Sequence, residues 1–154
     1  MNGIIKDILT AEHSGDRLVS SPTATLEAGK GIVGDRYYSS QGTFSEHMQN
    51  QPDFEVSLIE QEKIDEFNAI TGHHYSGHDF RRNIVTQGIQ LNELVGKSFS
   101  IGNVTLKGIR LCEPCSYLSA RLGSEVMDYM VHKAGLRAQI IHGGEIHISD
   151  FISD

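Results

Sequence analysis

Long apolar runs are missing from this chain of 154 residues. No stretch approaches the roughly 18 consecutive apolar residues of a membrane-spanning helix, which excludes such a span. Positive charge is also scarce: 13 Lys and Arg stand against 20 Asp and Glu, a formal net charge of -7. Modules that grip a phosphate backbone usually present a basic face, so nucleic acid is not an expected partner, and neither is a membrane. Proline is limited to 3 residues against 16 glycines, the balance of a chain with many turns. Cysteine is limited to 2 residues, which make no disulfide framework. The opening Met1-Asn2-Gly3-Ile4-Ile5-Lys6-Asp7 lacks the apolar core and cleavage site of a signal peptide. The expectation is a cytoplasmic single domain over residues 1–154, long enough to bury a core without staples.

What is present is a series of short periodic segments. Ile4 to Ala11 and Ala24 to Ala28 read as strands, with a turn at His13-Ser14-Gly15-Asp16 and a glycine-rich loop from Gly29 to Asp35. Phe54 to Ile59 is strand-like and runs into a helix ending near Gly72, with Ile64 and Phe67 on one face. Ser57-Leu58-Ile59-Glu60 matches a capping box. In Phe99-Ser100-Ile101 the apolar residues are odd-numbered, and in Val104-Thr105-Leu106 they are even-numbered. That phase flip across Gly102-Asn103 predicts a two-residue hairpin, with Gly102 supplying the positive φ of a type II′ turn. A second hairpin is expected at His142-Gly143-Gly144, between alternating Leu136, Ala138, Ile140 and alternating Ile146, Ile148. Ser124 to Lys133 reads as a helix with Ser124 as N-cap, Met127, Met130 and Val131 facing inward, and Gly135 near its end. Many strands with few helices predict a β-barrel or a β-rich α+β fold.

Chemistry concentrates in Leu111-Cys112-Glu113-Pro114-Cys115. A thiolate can act as soft metal ligand, sulfur carrier or redox nucleophile. Structural zinc would need two further ligands, for which His73, His74 and His78 are the candidates. A thioredoxin-like dithiol would require a βαβ setting that is not evident here. Two buried strand residues form the third alternative; it suits Cys112 better than Cys115, because Pro114 implies that the strand has ended. Arg81-Arg82-Asn83 reads either as a solvated pair in a strand, pointing to opposite faces, or as a guanidinium and an amide that bind an anionic cofactor. Gly34-Asp35-Arg36-Tyr37-Tyr38 could close a phosphate or pterin pocket, but does not open the helix that a dinucleotide-binding glycine motif requires. His132 would interact with a helix C-terminus, His142 and His147 would lie on the surface, and no nucleophile-elbow sequence occurs.

The segments from Phe80 to Ile89, Leu91 to Gly102, Leu111 to Cys115 and His132 to Ala138, with Ala28 to Arg36 upstream, together resemble a stand-alone bacterial-type MOSC domain. MOSC is the module named for the C-terminal region of molybdenum cofactor sulfurases. The resemblance implies a mainly β fold of the pyruvate-kinase β-barrel type with two or three short helices. It further implies binding of molybdenum cofactor, with Cys115 as the molybdenum ligand and the catalytic residue. Arg81, Arg82 and Asn83 match the cofactor-holding segment, and Arg36 and Arg137 are further contacts it suggests. The leading expectation is a protein supporting reduction of N-hydroxylated compounds, a molybdenum-dependent oxidoreductase. The alternatives are a sulfur carrier or cofactor-delivery module with a Cys115 persulfide, and a zinc-stabilised binding domain. The pyridoxal-phosphate module of the sulfurases has no counterpart here, so pyridoxal phosphate is not expected in this domain. No flavin, haem or iron–sulfur motif occurs, so a separate electron-donor protein or a cysteine desulfurase is the expected partner.

Overall fold

The computed structural model describes residues 2–39 and 54–154. Strands β1 (Asn2–Thr10), β2 (Val19–Ser20), β3 (Thr23–Glu27) and β4 (Gly31–Ile32) come first. Strand β5 (Val56–Glu60) leads into helix α1 (Gln61–Thr71), a short helix α2 (Gly77–Phe80) and strand β6 (Ile84–Gln87). A 3₁₀ turn at Leu91–Leu94 precedes β7 (Ser98–Ile101) and β8 (Val104–Leu111). Helices α3 (Ser116–Leu122) and α4 (Glu125–Tyr129) follow, then β9 (Leu136–His142), β10 (Gly144–His147) and β11 (Phe151–Ser153).

Seven of these strands close a mixed barrel in the order β11-β7-β8-β9-β5-β6-β1, sealed where β1 pairs with β11. All the barrel pairings are antiparallel except β5 with β6, whose parallel register needs the crossover that α1 and α2 supply. Strand β2 hangs on β1, and β10, β3 and β4 form a separate small sheet. Residues Ile8, Leu58 and Ile84 point into the barrel with Leu106, Leu136 and Ile152. Their neighbours Leu9, Ile59 and Val85 point outward, against Ile64, Phe67, Phe80, Leu118 and Leu122 of the helices. Burial on both faces explains why these strands read as continuous apolar runs rather than clean alternation.

The first hairpin is as expected. Ile101 pairs with Val104, Gly102 has φ 55, and Asn103 is not among the residues with positive φ, which fits a type II′ turn. The helix after β5 also stands, ending at Gly72 with φ 78. Its capping box does not: Ser57 lies inside β5, where its hydroxyl meets the Asn83 carboxamide oxygen at 3.2 Å, and the N-cap is Glu60 with no side-chain cap bond. The second hairpin is also absent. β9 pairs with β8 and β5, whereas β10 pairs with β3. Gly143 serves a close approach instead, since a Cβ there would lie 2.3 Å from the Leu26 carbonyl oxygen. Only Glu125–Tyr129 of the expected Ser124–Lys133 helix is helical. Met130 is buried as predicted, but Met127 and Val131 are exposed because the helix stops before a second turn can bury them.

Candidate functional site

One rim of the barrel gathers the segments that carry the motifs. Ile8 pairs with Ile84, Ile84 with Leu58, Leu58 with Leu136, and Leu136 with Leu111. The stretches that leave or enter the barrel beside these residues therefore share a rim: 11–18, 72–83, 112–122 and 130–135.

Cys112 is 2% exposed, and its amide donates to the Gly135 carbonyl at 2.8 Å. Arg82 is buried behind it. Its Nε donates to the Ala134 carbonyl at 2.9 Å, Nη1 to that of Phe80 at 3.1 Å, and Nη2 to that of Cys112 at 3.5 Å. Asn83 is engaged in the same manner: its oxygen accepts from the Ser57 amide at 3.2 Å and its nitrogen donates to the Leu9 carbonyl at 3.1 Å. Both side chains thus stitch the rim together. On the outer side, Glu113 accepts from the His132 amide at 2.7 Å and meets His132 Nδ1 at 2.6 Å. His132 has φ 61 and stands beyond the helix, so its partner is this carboxylate rather than a helix terminus.

Cys115 is a free, partly buried thiol in extended conformation at the head of α3. Leu118 and Leu122, one turn apart, seat that helix on the outer core. The Cys115 side chain makes no cap bond. Among the described residues no group of three or more His, Cys, Asp or Glu side chains is arranged to hold a metal ion, so His73, His74 and His78 do not complete a zinc site with the cysteines there.

Arg81 is neither solvated nor in a strand. It terminates α2 with φ 60 and is 5% exposed. Its Nη1 donates to the Asp16 carbonyl at 2.7 Å, while its buried Nη2 has no partner among the described residues. Burial, then the positive charges of Arg36 and Arg121, lower its pKa from the ordinary arginine value. Arg36, 4% exposed, pairs with Asp35 at 3.0 Å and lies over the Tyr37 ring at 4.9 Å. A cleft of about 440 Å³ opens beside Arg81, walled by Arg17, Arg121, Tyr75, His78 and Asp79. The Tyr75 hydroxyl donates to the Leu122 carbonyl at 3.2 Å and ties the loop before α2 to α3. Arg137 stands apart from this wall, on β9 between its register partners Ser57 and Arg110. Arg17 and Arg121 belong to no motif; only the folded rim brings them beside Arg81.

A MOSC domain profile matches residues 45–153. The chain belongs to the MOSC domain family. This MOSC protein is similar in fold to the YuaD protein from Bacillus subtilis, with a TM-score of 0.80 at 16% identity over 99% of this chain and 94% of that one. It is also similar to YiiM from Escherichia coli, with TM-score 0.69, 17% identity and coverage of 99% and 69%. YiiM from Geobacillus stearothermophilus follows, with TM-score 0.64, 13% identity and coverage of 98% and 72%. A comparison with curated protein sequences gives no match. Identities this low speak for the fold alone.

Proposed function

We propose that this MOSC protein binds molybdenum cofactor through Cys115 and the arginine-lined cleft, and supports reduction of N-hydroxylated compounds. The observation that carries the reading is a shared helix. The free thiol of Cys115 stands at the head of α3, and Arg121 near its other end walls the cleft in which the buried Arg81 Nη2 lacks an acceptor. Arg121 stands six positions after Cys115 along the helix, roughly 9 Å of rise, room for a ligand with a metal at one end and an anionic group at the other. An orphaned buried guanidinium nitrogen and a soft sulfur donor fit such a cofactor.

In this reading Cys115 presents its thiolate to the metal. Arg81 supplies positive charge, and Arg36, its own charge balanced by Asp35, lies close behind it. Arg82 and Asn83 keep the rim in register through carbonyls and amides. When bound, the cofactor would supply two-electron chemistry at its metal. Electrons would come from a separate donor protein.

Metal analysis of protein isolated from cells that make intact cofactor tests the reading. Near-stoichiometric molybdenum is expected in the wild type and in Cys112→Ala, and less than about a tenth of it in Cys115→Ala. Metal-free wild-type protein carrying a Cys115 persulfide would replace the reductase with a sulfur carrier.

A further inference from the structure

Residue 132 is a histidine where glycine would cost least. Its φ of 61 lies in the left-handed region, and its side chain is 70% exposed, so no buried apolar surface offsets the strain. Three bonds nonetheless fix it. The amide donates to Glu113 Oε1 at 2.7 Å, Nδ1 meets Glu113 Oε2 at 2.6 Å, and the carbonyl accepts from Asn92 Nδ2 at 2.7 Å. One carboxylate thus holds both the backbone and the ring. With Nδ1 committed, Nε2 is the nitrogen left to face outward, the arrangement by which a carboxylate orients a histidine for proton transfer. Lys133, the next residue, is drawn to Glu66 at 2.8 Å and Asn92 is neutral, so the charged group paired with the ring is Glu113. Glu113 also decides which way the ring looks. From 112 to 115 burial alternates: Cys112 and Pro114 are buried, Glu113 is exposed and Cys115 half-buried. Cys115 is extended, and a residue before proline is held extended too. Side chains two apart in an extended stretch share a face, with about 7 Å between their Cα atoms. The carboxylate that carries His132 therefore lies on the face of the Cys115 thiol.

We propose that His132, oriented by Glu113, is the acid–base group of the Cys115 site. The inference rests on the cofactor reading for its substrate, an N-hydroxylated compound. In that reaction the N–O bond breaks, two electrons from the separate donor protein reduce the nitrogen, and the oxygen leaves as water. Two protons are consumed. His132 Nε2 gives one to the departing hydroxyl, and the other reaches the nitrogen from solvent. The exposed ring then regains its proton from solvent. Glu113 stabilises the imidazolium that donates and keeps the ring from turning.

Two readouts test it, the first on full-length Cys112→Ala protein from cells unable to make the cofactor. At pH 6 the rate of Cys115 alkylation by iodoacetate, relative to iodoacetamide, should fall about threefold on His132→Gln, because an imidazolium on that face attracts the anionic reagent. At pH 9, where an imidazole carries no charge, the variant and its parent should agree. The second readout uses protein loaded in cofactor-making cells, with benzamidoxime as substrate and reduced methyl viologen as electron source. His132→Gln should load molybdenum fully yet lose about a hundredfold in kcat with KM little changed, and Glu113→Gln should lose about tenfold. His132→Gly, which keeps the backbone conformation, should regain about tenfold with added imidazole; a purely structural role gives no such rescue. Unchanged reagent selectivity at pH 6, or a loaded His132→Gln of wild-type rate, overturns the assignment and leaves the cofactor reading standing. Wild-type protein that never loads molybdenum removes the cofactor reading, while selectivity that depends on His132 would still support the acid–base group.

Discussion

Glu60, 8% exposed, closes β5 with a carboxyl that accepts from the Leu91 amide at 3.3 Å. Burial raises its pKa, against the opposing pull of the Leu91 amide and Lys63. A carboxyl whose pKa is raised by folding favours the folded state below its unfolded pKa, and that contribution is lost as pH rises through the folded value. Glu60→Gln keeps an oxygen for the Leu91 amide and never ionises. Its Tm should exceed that of the wild type by about 2 °C at pH 7, with the gain shrinking as the pH is lowered toward 4. A gain independent of pH in thermal scans would contradict the assignment. Residue-scale detail of this kind is where the sequence is least legible. In the sequence Arg81 and Arg82 stand side by side before Asn83, with nothing to say which guanidinium would serve a cofactor. Arg82, however, binds carbonyls as distant as Ala134, and Asn83 binds Leu9, so the fold engages two of the three and leaves a donor of Arg81 over.

At the scale of elements, legibility follows how local the determining contact is. The β7–β8 hairpin is readable because Gly102 and the alternation on either side of it lie within eight residues. Helix α1 is readable from the spacing of Ile64 and Phe67 and from Gly72 at its end. Helix α3, on which the candidate site depends, offers only Leu118 and Leu122 as apolar marks, too short a pattern to stand out. Ser57-x-x-Glu60 imitates a capping box, yet both side chains are claimed by residues more than twenty positions away, Asn83 and Leu91. The glycines mislead for the same reason. Gly135 ends no helix: with φ 116 it lets β9 enter the barrel beside β5, and a Cβ there would stand 2.0 Å from the Leu58 carbonyl oxygen. Its own carbonyl holds the Cys112 amide at 2.8 Å. Gly135→Ala should therefore lose about 3 kcal/mol or more in urea unfolding. A loss below about 1 kcal/mol would show that the rim relaxes around it.

For the whole molecule, barrel closure is the unifying feature, and it was legible only as a class. Many short strands and few helices indicate a barrel, but no local pattern announces that β1 and β11 seal it or that β10 leaves it for β3. The seal makes neighbouring residues unequal. Ile152 is wholly buried in the barrel core, while Phe151, its neighbour on β11, is 74% exposed. Ile152→Ala should cost about 2–4 kcal/mol in chemical denaturation, and Phe151→Ser less than about 0.5 kcal/mol. Similar losses from both would mean that the seam is not a packed part of the barrel.

That seam also sets an order of assembly. Asn2 pairs with Ser153, so nearly the longest sequence separation in the chain lies within one ladder. Contacts that remote contribute only after most of the loop-closure entropy has been overcome, which raises contact order and slows folding. During synthesis β1 is made well before its partner β11, about 150 residues further along the chain. Until β11 emerges, the edge of β1 has no partner there, so the hazard of strand-edge aggregation lasts until that strand is made.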